Sequence, residues 1–152
     1  MPLELGRATG RKPPFKYASF TRVGFSDTDA QGIVYYGRYL PYFDHARTEY
    51  HRHLDLSGEV LAGAEFVMRA ARVEYHAPAR FDDVLEIFVR LARIGRTSAT
   101  FDHAAYLYET DTLMATAVHT HVLIDHEQRT PVEIPGDYRE QMRAFEGDDL
   151  EM

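Results

Sequence analysis

Only one stretch of this chain has the periodicity of a long amphipathic helix, and the rest of the fold must be built around it. From Gly37 onward, apolar side chains recur every three or four residues. The stripe consists of Tyr39, Leu40, Phe43, Ala46, Tyr50 and Leu54. Pro41 has no N–H to donate and is tolerated only in a first turn, so the helix should begin near Gly37 or Arg38. We expect it to end between Leu54 and Gly58.

The helix is followed by segments whose apolar residues alternate, as they do in β-strands. Four such strands are predicted, at Phe66–His76, Val84–Arg93, Ala99–Leu107 and Thr112–Ile124. An earlier strand is predicted within Phe15–Phe25. Because the links between the later strands are short, we expect antiparallel neighbours and a four-stranded meander. The pattern predicts an α+β domain.

The two ends of the chain differ from the middle. Residues 1–14 contain glycines and prolines without periodicity, so they are predicted to be a flexible lead, with the domain starting near Phe15;. The 152-residue length suits one domain, which we place at residues 15–145;. Asp137–Phe145 could form a short helix, and the acidic tail, residues 146–152, is expected to be frayed.

Composition excludes several classes of function. The chain has no cysteine, which rules out disulfides, thiolate nucleophiles and cysteine-based zinc sites;. A formal net charge of −7 argues against a nucleic-acid partner;. No segment approaches the ~20 apolar residues of a membrane span, and no signal peptide is visible, so a cytoplasmic location is expected. His119 and His121 have a spacing that could hold a metal, but no carboxylate stands at a fixed spacing nearby. We therefore expect no bound metal.

A motif rich in acidic residues and glycine stands just before the helix. Residues 27–39 read Asp-Thr-Asp-Ala-Gln-Gly-Ile-Val-Tyr-Tyr-Gly-Arg-Tyr. The N-terminus of a helix collects about half a unit of positive charge and several unpaired N–H donors. A carboxylate held beside such donors is suited to attack on a carbonyl group.

This motif resembles, nearly residue for residue, the active-site motif of the 4-hydroxybenzoyl-CoA thioesterase family, including its Tol-Pal-associated branch. The resemblance implies a hotdog fold, in which a curled antiparallel sheet wraps around one long central helix. It also implies hydrolysis of an acyl-CoA thioester without a cofactor, coenzyme A being part of the substrate. A homo-oligomer is implied as well, at least a dimer and more often a tetramer built as a dimer of dimers.

The resemblance assigns roles to individual residues. The second aspartate of the D-x-D-x-x-G motif is Asp29, which would be the catalytic nucleophile or general base. The backbone amide of Tyr36 or Gly37 would polarise the carbonyl. Gly32 would let the backbone turn closely beside the acyl group. For Asp27 we favour a capping role.

Two positions differ from the Tol-Pal-associated branch, and the differences bear on which acyl group the protein accepts. That branch has a histidine where this chain has Tyr36, and a tyrosine where this chain has Phe25. The acyl group could therefore be small and aromatic or short and aliphatic. Some hotdog thioesterases use a helical glutamate as the carboxylate, but Glu49 is interpreted as ordering the helix or an interface. Four neighbouring tyrosines could line the acyl pocket or pack the helix: Tyr35, Tyr36, Tyr39 and Tyr42.

Coenzyme A carries several phosphate charges and needs local cations. Arg90, Arg93 and Arg96 cluster at the end of one predicted strand and in the turn that follows, with Ser98 just beyond. The family binds the nucleotide in the corresponding turn, and Arg96 is its most direct match. Arg80 is a second candidate. These arginines could instead keep strand ends soluble.

Two other functions remain open from the sequence. A hotdog dehydratase acting on acyl-carrier protein usually pairs a histidine with an acid on facing segments, and the motif itself has no histidine. A non-catalytic acyl-CoA-binding module is disfavoured by the presence of Asp29.

Overall fold

The computed structural model describes residues 5–56, 61 and 63–152. In this part of the chain there are six strands and two α-helices, with short 3₁₀ turns at Phe25–Asp27, Tyr36–Arg38 and Gly147–Asp149. The strands are β1 (Gly6–Ala8), β2 (Tyr17–Arg22), β3 (Ala64–Tyr75), β4 (Val84–Ile94), β5 (Ser98–Leu107) and β6 (Thr112–Asp125). The helices are α1 (Tyr39–His53) and α2 (Gly136–Glu146).

The long helix begins where Pro41 requires. A 3₁₀ turn at Tyr36–Arg38 leads directly into α1, so Pro41 occupies the first helical turn;. Most of the apolar stripe packs against β2 and β4, and Phe43, Ala46 and Tyr50 are fully inaccessible to solvent, but Leu40 is exposed. The predicted start is confirmed to within one turn. The helix ends at His53, while Ser57 and Gly58, two residues of the predicted end, lie outside the described residues.

All six strands form one antiparallel sheet in the order β1-β2-β4-β5-β6-β3. The meander is confirmed for β4 to β6, but its predicted first step is wrong, because β3 pairs with β6 and not with β4. The edge of β4 that β3 would need is already occupied by β2, with Tyr17 opposite Val89. Residues 76–83 carry the chain from the far edge of the sheet back to β4.

The residues on the concave face of the sheet differ between β4 and the pair β5 and β6. On β4 the alternating residues Leu85, Ile87 and Val89 are fully buried under α1. On β5 and β6 the same face carries three buried imidazoles, His103, His119 and His121. The sheet therefore wraps around α1 as expected of a hotdog domain, and its inner face includes three imidazoles among apolar residues such as Phe101 and Leu123.

The segment that follows residue 5 and the C-terminal tail both pack on the sheet. β1 pairs with β2, so the sheet begins before Phe15, and Arg11 binds the buried carboxylate of Glu86 on β4. At the other end Leu150 is buried in the core, and the backbone of Glu151 bonds to the end of β4. The expectation of a frayed tail is wrong, because one apolar anchor and a few backbone hydrogen bonds outweigh the acidic composition around them.

Candidate active site

The D-x-D-x-x-G motif folds into a miniature hairpin. The N–H of Tyr35 donates to the carbonyl of Asp27, and the N–H of Asp29 donates to that of Ile33, both at 2.9 Å. The turn is closed by the N–H of Gly32, which donates to the carbonyl of Asp29 at 2.9 Å. Gly32 has a φ of +78°, a conformation that a side chain would strain;. The hairpin thus returns the chain to the start of α1.

Asp27 holds this hairpin in place through its side chain. Its Oδ2 accepts hydrogen bonds from the backbone N–H of Gly24 at 3.0 Å and from the hydroxyl of Tyr42 at 2.8 Å. Burial first, and then the bond to Asp27, raise the pKa of Tyr42, so its hydroxyl stays a donor. The Nε of Arg38 lies 3.7 Å from the other oxygen. The predicted capping role of Asp27 is confirmed by these bonds.

Asp29 is half-buried at the wall of a cavity of about 320 Å³. Its Oδ1 accepts a hydrogen bond from the N–H of Gln31 at 2.8 Å, which stabilises the turn. Its Oδ2 has no hydrogen-bond partner among the residues that the structure describes. One carboxylate oxygen therefore accepts a hydrogen bond within the turn, and the other is available to a bound molecule. Other residues lining the cavity are Tyr36, Tyr39, Tyr75, His76, Ala77 and Pro78.

The first turn of the helical segment supplies N–H donors beside this cavity. The first hydrogen bond of the turn is donated by Arg38 to the carbonyl of Tyr35 at 2.8 Å. The N–H groups of Tyr36 and Gly37 come before that bond and have no acceptor within the turn. Gly37 packs so closely that a Cβ there would lie 2.8 Å from the ring of Tyr35. Asp29 and Tyr36, both predicted site residues, line the same cavity.

The cavity wall is aromatic. The ring of Tyr75 lies 6.5 Å from that of Tyr36 and 5.6 Å from that of Tyr39, between ring centroids. Tyr39 is buried, and that burial raises its pKa to about 12, whereas Tyr36 is exposed at the rim. Of the four tyrosines in the motif region, Tyr39 and Tyr42 pack the helix, and Tyr36 and Tyr39 line the cavity.

Tyr75 and His76 are site residues that the sequence did not indicate. They end β3 and begin the link to β4, which meets the hairpin where the N–H of Val34 donates to the carbonyl of Ala79 at 2.8 Å. A signal was present in Pro78, which forces the chain to leave the sheet just beyond them. The sequence did not predict that the end of β3 lies beside the motif.

The predicted nucleotide-binding turn lies at the opposite end of the sheet. β4 has 11 residues, and its first residue pairs with Arg22 near the hairpin, while Arg93, Arg96 and Ser98 lie at its far end. At about 3.3 Å per residue the two ends are ~30 Å apart. Within one chain these residues do not meet Asp29. Arg80 does lie at the cavity end, two residues after Pro78, and its side chain is exposed.

Glu49 does not line the cavity. It lies ten residues beyond Tyr39 in α1, about 15 Å along the helix axis;. Its carboxylate is buried and ion-paired with Arg52. The interpretation of Glu49 as a residue that orders the helix agrees with this contact.

The three histidines of the inner face form a separate, closed cluster. The rings of His103 and His119 are 4.8 Å apart and those of His119 and His121 are 6.1 Å apart, and none of their ring nitrogens has a hydrogen-bond partner among the described residues. Burial lowers the pKa of all three imidazoles. Within residues 5–56, 61 and 63–152, no three metal-binding side chains are placed to hold an ion.

Comparison with known proteins decides the family. The model of the thioesterase-like superfamily matches residues 23–142. The chain belongs to this superfamily. The acyl-CoA thioester hydrolase YbgC of Escherichia coli O6:H1 is 38% identical over 116 residues, covering 75% of this chain and 86% of that protein. The acyl-CoA thioesterase YbgC of Haemophilus influenzae is 30% identical over 117 residues, covering 75% and 85%.

Solved structures share the fold. A hypothetical protein from Aquifex aeolicus superposes with a TM-score of 0.75 at 32% identity, covering 82% of this chain and 98% of that one. A 1,4-dihydroxy-2-naphthoyl-CoA thioesterase from Synechocystis gives 0.74 at 21% identity, covering 82% and 93%, and supports the fold alone. The predicted hotdog fold, the family resemblance and the expectation of a thioester hydrolase are confirmed. No helix among the described residues is long and apolar enough to cross a membrane.

Proposed function

We propose that this thioesterase-like protein hydrolyses acyl-CoA thioesters to a free acid and coenzyme A, with Asp29 as the catalytic carboxylate. The observation that carries the proposal is the shared cavity. It joins a carboxylate oxygen that has no hydrogen-bond partner among the described residues to the N-terminal turn of a helix. The names of the YbgC relatives support the choice of acyl-CoA as substrate.

Two mechanisms fit this arrangement. As a nucleophile, Asp29 attacks the thioester carbonyl carbon and forms a mixed anhydride as the C–S bond breaks, and water then cleaves the anhydride. As a general base, Asp29 takes a proton from a water molecule that attacks the same carbon. In both, the thiolate of coenzyme A leaves and is protonated, and the N–H groups of Tyr36 and Gly37 stabilise the charge on the carbonyl oxygen.

The cavity suits a small acyl group. Its volume of about 320 Å³ lies near the lower end of the range for ligand sites;. The rings of Tyr36, Tyr39 and Tyr75 offer faces and edges to an aromatic acyl group, and a short aliphatic chain would fit the same space. A long fatty acyl chain would not be enclosed.

A homodimer is proposed from the free edge of the sheet. β3 is a 12-residue edge strand, and an edge of this length invites pairing;. Met68 and Tyr75 project from it on the concave face and are 41% and 50% exposed. Antiparallel pairing of β3 with its copy would bury these side chains. Pairing of two such dimers would give the tetramer that the family resemblance predicts.

Such a dimer would also reconcile the position of the arginine turn. Antiparallel pairing reverses the second copy, so its turn with Arg93, Arg96 and Ser98 would lie at the end of the sheet where Asp29 of the first copy lies. Coenzyme A would then reach from one chain to the other. The cytoplasmic location and the lack of a cofactor stay predictions.

A dehydratase is the second candidate, because His76 and Asp29 line the same cavity from different segments of the chain. One experiment separates the two. Thiol release is measured over a panel of aromatic and aliphatic acyl-CoAs, and loss of water is measured on 3-hydroxyacyl thioesters of coenzyme A and acyl-carrier protein. Thiol release that depends on Asp29 supports the hydrolase. Dehydration that depends on both His76 and Asp29, without thiol release, would replace it, and binding without either reaction would indicate a non-catalytic module.

A further inference from the structure

The peptide group between Tyr36 and Gly37 is held by a hydrogen bond from another part of the fold. The hydroxyl of Tyr75, at the end of β3, donates to the carbonyl oxygen of Tyr36 at 2.9 Å. The N–H of Tyr39 donates to the same oxygen. A carbonyl oxygen has two lone pairs, so its hydrogen-bonding capacity is filled from two directions.

This peptide group also contains one of the N–H donors of the proposed reaction. The carbonyl of Tyr36 and the N–H of Gly37 share one rigid plane and point in opposite directions. Fixing the carbonyl therefore fixes the direction of the N–H. A donor on the carbonyl also polarises the peptide, and such cooperativity strengthens a neighbouring hydrogen bond by about 10 to 30%.

We propose that Tyr75 is a positioning residue that orients and polarises the Tyr36–Gly37 peptide, so that the Gly37 N–H stabilises the charge developing on the substrate carbonyl oxygen. The proposal rests on the proposed thioester hydrolysis and adds a residue to it. Donors of this kind accelerate a reaction because they are already oriented when the charge appears.

The surroundings of Tyr75 suit this role better than a role in core packing. Its side chain is half exposed, and its backbone is fixed by pairing with Ala115 of β6. Burial of part of the ring raises the pKa of Tyr75, which keeps the hydroxyl protonated as a donor. If the hydroxyl is removed, the Tyr36 carbonyl still has the N–H of Tyr39, so little stability should be lost.

The test is the variant Tyr75→Phe, which keeps the ring and removes the donor. We expect kcat to fall at least ten-fold, KM to change by less than two-fold and the melting midpoint to stay the same, since loss of an entire oxyanion donor costs about 10² to 10³ in rate. Tyr108→Phe is the matched control. Tyr108 is also about half exposed, but it follows β5 and contacts Phe20, and its variant should keep wild-type kinetics.

A spectroscopic measurement distinguishes orientation of the donor from a merely structural effect. In the slow variant Asp29→Asn, the infrared band of a ¹³C-labelled thioester carbonyl is recorded on the bound substrate. Polarisation by an N–H donor lowers the frequency of this band, and adding Tyr75→Phe should move it back toward the frequency of the free thioester. An unchanged band, or a rise in KM with kcat preserved, would overturn the role of Tyr75. Retained turnover in Asp29→Asn would instead count against Asp29, while the kcat of Tyr75→Phe alone still tests Tyr75.

Discussion

The hydroxyl of Tyr50, in the last turn of α1, donates a hydrogen bond to the buried carboxylate of Glu146 at the end of α2. The same hydroxyl accepts a hydrogen bond from the backbone N–H of Leu91 at 3.2 Å. Lys16 approaches the outer side of the pair and donates to the carbonyl of Glu146 at 2.9 Å. One phenol thus connects the central helix, the sheet and the C-terminal helix.

This connection predicts that Tyr50→Phe destabilises the protein. The variant leaves a buried carboxylate and a buried N–H without their shared partner, which should lower the free energy of unfolding by about 1 to 3 kcal/mol. Urea denaturation at neutral pH measures it. The double variant Tyr50→Phe, Glu146→Leu should recover part of this loss. Replacing the carboxylate with an apolar side chain removes the buried polar group that would lack a hydrogen-bond partner. A single variant as stable as the wild type would show that the pair contributes nothing.

Asp29→Asn should abolish most hydrolysis and leave the fold intact. Asn can still accept the hydrogen bond from the N–H of Gln31, so the cost in stability should be about 1 kcal/mol or less. Loss of a general base lowers kcat by a factor of ~10² to 10⁴, and loss of a nucleophile by at least as much. Both kcat and the melting midpoint are measured on one preparation, with Asp27→Asn as the contrasting variant that should lose stability first. Turnover above a tenth of the wild-type value would remove Asp29 from the chemistry.

Two arginines distinguish a nucleotide site within one chain from a site shared between chains. If the site is shared, Arg96→Ala should raise KM for acyl-CoA more than it lowers kcat, because a distant phosphate contact stabilises ground and transition states alike. The effect should vanish with an acyl-pantetheine thioester, which has no nucleotide. Arg80→Ala is the comparison. A KM effect confined to Arg80 would place the nucleotide beside the cavity of its own chain.

Met68→Glu should weaken the proposed dimer. The side chain lies on the concave face of the free edge strand, where a carboxylate would be buried without a partner on association;. Sedimentation velocity over a range of concentrations should show dissociation at concentrations where the wild type stays associated. Leu5→Glu is the matched control, since Leu5 is equally exposed, at 41%, but lies beside the opposite edge strand. Equal effects of the two variants would contradict pairing through β3.

The buried imidazoles predict acid sensitivity. Burial lowers the pKa of His51 and of His121 to about 3, compared with about 6.5 in an unfolded chain;. Below pH 6.5 the unfolded state binds more protons, so stability should fall as the pH falls from 6.5 toward 3, by about 1.4 kcal/mol per pH unit for each such histidine. Urea denaturation at pH 7, 6 and 5 measures the slope. His121→Leu should reduce the dependence of the unfolding free energy on pH by the contribution of one histidine. An unchanged pH dependence would contradict the lowered pKa of His121.

Local features of this fold could be predicted, and non-local ones could not. Pro41 fixes the start of α1, and the alternation along β4 gives its buried face, because each depends only on neighbouring residues. The position of β3 in the sheet depends on which strand already occupies the edge of β4. The alternation of apolar residues does not predict which strands pair. Leu150 is a single anchor in an acidic segment, too small a signal for composition to reveal.

The site divides in the same way. The proximity of Asp29 and Tyr36 in one cavity could be predicted because one contiguous motif contains both residues. Tyr75 is distant in sequence, and only the pairing of β3 with β6 brings its hydroxyl to the motif. Arg96 illustrates the opposite outcome, since its residue type suits the ligand but its position in the sheet separates it from Asp29 within one chain.

The miniature hairpin of residues 27–35 has a consequence for how such an enzyme can diversify. Its own backbone hydrogen bonds hold the acid at a set distance from the start of α1. The opposite wall of the cavity comes from the end of β3 and the link that follows it. The proposed catalytic carboxylate and much of the cavity wall therefore reside in separate pieces of chain. Exchanging His76, Ala77 or Pro78 would retune the accepted acyl group, while Asp29 keeps its spacing and Tyr75 keeps its bond to the carbonyl of Tyr36.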